Sequence, residues 1–365
     1  MYSSKLPLEP NFLLSYLMLL QQNSIGEDVL IASAILEKNM QASIQPLVDL
    51  TYDDMLAVNE LVRSKACSEI QMIPEVANHL ISSGGKRLRP MITLAAARMF
   101  GYDGPHHIKL AAAVEFMHTA TLLHDDVVDE SGRRRGKSTA RMIWGNQASV
   151  LVGDFLLGQA FKMMVDVGSL TCLDIFSNAA AIIAEGEVMQ LAAAKHMETS
   201  EQEYLAVINA KTATLFAAAA EVGPVLAGGG DKIRTALFRY GSSLGLAFQL
   251  IDDVLDYGGI ADNLGKNIGD DFREGKITMP VILSFSRSSK EERLFWRRAM
   301  EMGENDNTAL ATALALMHKY KSLDDTIQRA RLSGERAHQA LLPLKASPQK
   351  DALIKVIDFC MSRFH

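Results

Sequence analysis

From Ile108 to Asp129 the chain reads as one helix, apolar around most of its circumference until its last turn, which carries Asp125, Asp126 and Asp129. A helix with so little polar face belongs in the middle of a large bundle. Asp125 and Asp129 are four residues apart and share a face, so their charges repel unless something positive sits between them. Carboxylate oxygens so placed suit Mg²⁺, a hard cation that takes a few carboxylates together with water and phosphate oxygens. An acidic helix end that is merely solvated would look the same in isolation. The pattern recurs, however: Phe248 to Asp256 closes another apolar stretch with Asp252, Asp253 and Asp256 at the same spacing. Two such clusters facing each other across a bundle would make a magnesium site able to clamp a diphosphate.

The rest of the chain is consistent with an all-α fold. Ala, Leu, Met, Glu, Lys and Gln dominate the long segments, and runs of alternating β-branched residues are scarce. Further helical stretches are expected over Gln147 to Val167 and Leu173 to Ala194, with breaks at Gly84-Gly85, Gly101 to Pro105, Gly223-Pro224, Gly228 to Gly230 and Gly258-Gly259. Residues 1–50 look like an N-terminal extension, helical or partly ordered, and residues 51–365 like one large single-domain helical bundle. Lys and Arg total 37 against 43 Asp and Glu, a net charge of −6, so there is no basic excess for nucleic acid and an anionic ligand needs local cations or metal. Cys67, Cys172 and Cys360 are far apart, form no CxxC and read as reduced thiols. The apolar run Phe12 to Leu20 is too short to span a bilayer, which takes about 20 residues, and it lacks the flanks of a targeting signal. The expected location is cytoplasmic.

Local cations are present. Gly84-Gly85-Lys86-Arg87-Leu88-Arg89-Pro90 places three of them after a flexible pair, and Arg133-Arg134-Arg135-Gly136-Lys137 follows the first acidic cluster. Lys211-Thr212 and Lys266 lie further on. Arg offers phosphate a planar fork and Lys a compact point charge. The Gly-Gly-Lys-Arg run lacks the spacing of a Walker P-loop.

At these residues the chain resembles the trans-isoprenyl diphosphate synthases, most of all the long-chain octaprenyl to decaprenyl diphosphate synthases that make quinone side chains. The similarity runs from about Leu50 to the C-terminus through GGKRLRP (84–90), HTATLLHDDVVDE (118–130), RRGK (134–137), GNQASVLVGDFLL (145–157), EGEVMQL (185–191), KTA (211–213), FQLIDDVLDY (248–257), LGK (264–266) and GDDFREGKITMP (269–280). The resemblance implies a bundle around a deep central cavity with the two acidic motifs near its mouth. It implies that Asp125, Asp129 and Asp252 ligate about three Mg²⁺ ions bridging to the allylic diphosphate, supported by Asp126, Asp253 and Asp256. Lys211 joins the acidic residues in the catalytic set. Arg134, Lys211, Gln249, Lys266 and Lys276 would bind diphosphate, with Thr212 lining the site. Lys86, Arg89, His118 and Arg135 would receive isopentenyl diphosphate. Arg133 departs from many relatives and is given no role. The allylic substrate would be farnesyl or geranylgeranyl diphosphate, the product a precursor of the ubiquinone side chain, and the assembly a homodimer with at most transient membrane contact.

Drawing charge from the leaving diphosphate lets the allylic C–O bond ionise, and an apolar cavity keeps the carbocation from water. No side chain is an obvious general base; His124, beside a carboxylate, reads more naturally as a hydrogen-bonded support. The growing product must run down the cavity past Ala120 and Thr121, one turn below Asp125. Both are small where short-chain relatives place an aromatic, which implies a long product. Phe155, Phe161, Met163, Met164 and Phe176 are unranked candidates for the floor. Terpene cyclases share the ionisation chemistry but pair one aspartate-rich motif with an NSE-type motif and need an aromatic-lined pocket; here the second motif is DDVLD and aromatics are 7% of residues. A catalytically silent subunit of a heteromeric synthase would be expected to have lost an acidic motif, and both are intact. A carrier bundle that binds diphosphate lipids would release no diphosphate with Mg²⁺.

Overall fold

The computed structural model describes residues 43–194, 196–258 and 268–363. The chain begins with α1 (Gln45–Lys65), α2 (Met72–Ile81), α3 (Leu88–Met99) and α4 (His106–Val128). A hairpin of β1 (Arg133–Arg134) and β2 (Lys137–Ser138) leads to α5 (Ala140–Val165) and α6 (Leu170–Ala193). Then α7 (Glu201–Ile208) runs through a π segment (Asn209–Ala213) into α8 (Thr214–Leu226), followed by α9 (Asp231–Gly258). After these come α10 (Asp270–Arg273), α11 (Met279–Arg287), α12 (Lys290–Glu301), α13 (Asn307–Lys319), α14 (Ser322–Leu341) and α15 (Pro348–Ser362). The fold is an all-α bundle, as expected.

The first acidic helix is central. Every residue from Leu110 to Met117 is buried, and two turns of buried positions cover all directions around the axis. α1, α3, α5 and α8 press on α4 from its several sides, and Ala111, Ala112 and Ala113 let them come close. α9, which carries the second cluster, packs on α8 through glycines. A Cβ at Gly241 would strike the Phe216 carbonyl, and one at Gly245 would lie 2.5 Å from Ala213 Cα. The two backbones therefore touch, and the next turn of α9 presents Gln249 to the π segment.

Two sequence expectations shift. Gly223-Pro224 does not break the chain: α8 continues to Leu226. A Cβ at Gly223 would come 2.5 Å from Ala97 N, so this glycine serves close crossing of α3, and the helix closes at Gly228, whose φ is +71°. α1 runs across the expected boundary at residue 50, with Leu47 fully buried beside Leu353 and Val356 of α15; residues 1–42 of the expected extension lie outside the described residues. Finally, Ala140–Val165 and Glu201–Leu226 are long and apolar enough to cross a membrane by length and composition alone, although 44% and 61% of their most apolar windows are buried within the bundle.

Candidate active site

The C-terminal turn of α4 splits its carboxylates as helical geometry requires. Asp126, fully buried, turns aside and accepts a 2.8 Å hydrogen bond from Arg134 Nε. Asp125 and Asp129 share the other face. Lys211 Nζ stands 3.8 Å from Asp125 Oδ2 and 2.8 Å from Glu187 Oε2 of α6. Lys276 Nζ stands 3.0 Å from Asp129 Oδ2 and 2.8 Å from Glu274. Burial raises the Asp125 pKa, Lys211 opposes that, and Asp129 adds to it. Burial and then Asp125 push Glu187 up to about 6. Burial works against the charge on Lys276, but Asp129, Asp271 and Glu274 outweigh it and hold the ammonium protonated.

The second cluster is pinned from behind. Asp253 is fully buried, taking a 2.5 Å hydrogen bond from Tyr204 Oη and a 3.0 Å one from Gln249 Nε2; burial pushes its pKa up to about 8. Asp256 Oδ2 accepts from the Asp271 amide at 3.1 Å. Asp252 is the outward member, 2.7 Å from the Arg363 guanidinium, which also lies over the Phe248 ring. The clusters are linked by neighbouring residues of the π segment: Lys211 reaches toward Asp125, while Thr212 Oγ1 donates to Gln249 Oε1 at 3.0 Å. The 268–278 segment makes a second link, from Asp256 through Asp271 to Lys276 and Asp129.

A second group of cations gathers around α3 and the hairpin. Arg87, in the left-handed region at φ +50°, is tied to Glu115 at 2.6 Å. The Arg89 guanidinium stacks 4.1 Å from the Phe216 ring centroid, its pKa lowered to about 10 by burial. Exposed Lys86 rests its ammonium over Phe359. Arg135 and Gly136 both have positive φ and form the two-residue hairpin turn. That turn swings the Arg135 guanidinium to 2.8 Å from where a Cβ would stand on Gly85, whose φ of +139° favours glycine. Burial first, then Arg89, Arg135, Arg134 and Arg87, hold the His118 pKa well below its ordinary value. A neutral imidazole among guanidiniums is an environment that attracts an anion.

Ala120 is buried in one cluster with Met163, Met164 and Phe176, with Phe155 and Phe161 packed against it; Thr121 is half-buried and bonds back to the His118 carbonyl. His124 lies against Gly153, its Nε2 3.1 Å from the Val150 carbonyl and 3.4 Å from Asp154. That is a support for α5 rather than a base beside the acidic pair. Lys266 lies outside the described residues. Sequence reasoning missed Glu187, Glu115, Tyr204, Glu274 and Arg363. Glu187 left a signal, a carboxylate inside the apolar run of α6; Tyr204 and Arg363 left none, because their partners are remote in the chain. Among the described residues no three metal-ligating side chains converge into a ready cage. Glu187 Oε1 and Asp126 Oδ2 are buried without hydrogen-bond partners, leaving lone pairs beside the cluster.

A family model described as polyprenyl synthetase matches residues 70–317. The chain is 44% identical over 321 residues to the octaprenyl diphosphate synthase of Escherichia coli, covering 88% of this chain and 99% of that one. Its fold superposes with a TM-score of 0.86 on a polyprenyl synthase of Caulobacter crescentus solved with calcium and isoprenyl diphosphate, at 49% identity and covering 88% and 98% of the two chains. A decaprenyl diphosphate synthase of Rhodobacter capsulatus gives a TM-score of 0.85 at 49% identity, covering 88% and 100%. With two acidic clusters joined by polar links at the heart of an isoprenoid-synthase bundle, the chain belongs to the polyprenyl synthetase family, among the prenyltransferases that build long-chain polyprenyl diphosphates.

Proposed function

We propose that the chain condenses isopentenyl diphosphate onto farnesyl or geranylgeranyl diphosphate in successive trans steps, giving an octaprenyl to decaprenyl diphosphate. The observation that carries this reading is the meeting of the two acidic clusters at the π segment, where Lys211 faces Asp125 and the next residue, Thr212, donates to Gln249, itself bonded to Asp253. Relatives of this family use a divalent metal. Asp125, Asp129 and Asp252 are the carboxylates that would hold Mg²⁺, about three ions by family resemblance, and the bound metal would neutralise charge on the departing diphosphate. Lys211, Lys276, Arg134 and Gln249 orient that diphosphate, with Lys266 as a further candidate. Asp126 and Asp253, both buried and hydrogen-bonded, hold Arg134 and Gln249 in place.

Lys86, Arg89, Arg135 and His118 take the isopentenyl diphosphate. Its double bond attacks the allylic carbon as the C–O bond breaks and its electron pair leaves with diphosphate. A proton is then lost to the released diphosphate, giving an allylic product one isoprene unit longer. The apolar helices below Asp125 exclude water from the cation and receive the chain past Ala120 and Thr121.

Incubating the purified protein with both diphosphates and Mg²⁺, with an EDTA control, and reading chain length by mass spectrometry tests this proposal. A metal-dependent octaprenyl to decaprenyl product is expected; a farnesyl or geranylgeranyl limit would overturn the open-floor reading. The product's apolar chain suits a ubiquinone side chain, made by a cytoplasmic enzyme with at most transient membrane contact. A homodimer is supported by apolar side chains left exposed on α5 and α6, among them Leu151 at 66% and Val188 at 65%.

A further inference from the structure

The EGEVMQL segment of α6 contributes two adjacent residues that the reaction scheme leaves without a task, Gly186 and Glu187. A Cβ on Gly186 would lie 2.8 Å from Ala210 Cβ and 3.0 Å from Lys211 N. α6 therefore touches the π segment backbone to backbone at the residue that carries the catalytic lysine. The next residue, Glu187, takes the lysine's direct bond: 2.8 Å from Nζ to Oε2, against 3.8 Å from Nζ to Asp125. π turns are rare insertions in helices and recur at functional sites. Lys is a flexible four-carbon stem ending in a point charge, and without Glu187 as an anchor its ammonium would be free to close the remaining distance to Asp125.

We infer that Glu187 is a positioning residue for the reaction: it holds the Lys211 ammonium at the edge of the first acidic cluster, facing the leaving diphosphate, and keeps it from closing onto Asp125. This rests on the prenyltransferase reading of the site and assigns a task to a side chain that does not itself meet the reacting atoms. The geometry divides the labour. Gly186 sets the distance between the two backbones, Glu187 sets the direction of the ammonium, and Asp125 keeps its oxygens for the bound cation. Both Glu187 and Lys211 retain a fifth of their side-chain surface, so the pair borders open space rather than being sealed in the core.

The test is a double-mutant cycle on the full-length enzyme with Glu187→Gln, which keeps the side-chain shape, and Lys211→Ala. Two quantities are read for each variant: calorimetric affinity for inorganic diphosphate in Mg²⁺, and kcat and KM for the allylic diphosphate. Glu187→Gln is expected to weaken diphosphate binding about tenfold, the scale of one charge-assisted hydrogen bond, with an unchanged thermal midpoint. In the Lys211→Ala background the same substitution is expected to change affinity less than about twofold. Equal losses in both backgrounds would overturn the inference by giving Glu187 an independent role, and so would no loss in the unaltered background. Absence of metal-dependent turnover in the unaltered enzyme would instead sink the reading of the site on which the inference stands.

Discussion

Asp125 is an unfavourable residue for the fold, held at the first acidic cluster. Burial and Asp129 both raise its pKa, so removing its charge relieves repulsion while Lys211 keeps Glu187 as a partner. Asp125→Asn should therefore lower kcat by about 100-fold or more, the scale seen when one electrostatic stabiliser of a transition state is lost, while the thermal midpoint holds or rises. A retained rate would remove this carboxylate from the metal site. His107 shows the opposite economy, a titratable group serving the fold alone. Its Nε2 lies 3.0 Å from Asp54, which also pairs with Arg98, and burial holds the imidazole pKa below its ordinary value despite Asp54. The unfolded chain then binds a proton near pH 6.5 that the folded chain refuses until lower pH, so stability falls as pH drops through about 6.5. Asp54 titrates below this window. Urea midpoints at pH 7.5 and 5.5 should differ more for the unaltered protein than for His107→Gln, and equal differences would remove His107 as the cause.

At the scale of elements, α4 joins an acidic end and an apolar end in one helix. Ala120 lies a turn inside from Asp125, buried among side chains of α5 and α6. Ala120→Phe should shorten the product to about farnesyl or geranylgeranyl length with the Mg²⁺ requirement intact, at a packing cost of about 1–3 kcal/mol; unchanged length by mass spectrometry would end the tunnel-floor argument. The acidic clusters and their carrier helices were legible because spacing on a single helix sets them, and the cationic runs because each is contiguous in the chain. The π segment was not, since its extra residue is invisible to a 3.6-residue period. Gly223-Pro224 misled for a related reason: the residues that punctuate a helix are also the ones that let two helices touch, and only the position of α3 decides between the uses. Arg363 and Tyr204 depend wholly on how α15 and α7 fold back onto α9.

For the whole molecule, the exposed apolar side chains of α5 and α6 should be covered by a second copy. Leu151→Glu is expected to shift sedimentation toward monomer at micromolar concentration, and an unaltered profile would place the interface elsewhere. Within one copy, the two acidic clusters hang from different cores. Leu123 and the middle of α4 belong to one buried cluster, whereas Leu250, Ile251 and Leu255 of α9 belong to another. What spans the gap at the mouth is a handful of polar links: Lys211, Thr212 with Gln249, and Asp271 with Lys276. In mechanical terms the mouth is a seam of polar links above a packed base, and polar links break and re-form far more cheaply than packed side chains slide. Amide exchange should then be faster along residues 268–278 than in α4, and protection as strong as that of α4 would make the mouth rigid. A seam that yields there would let the mouth widen for each incoming isopentenyl unit while the floor that measures the product stays still.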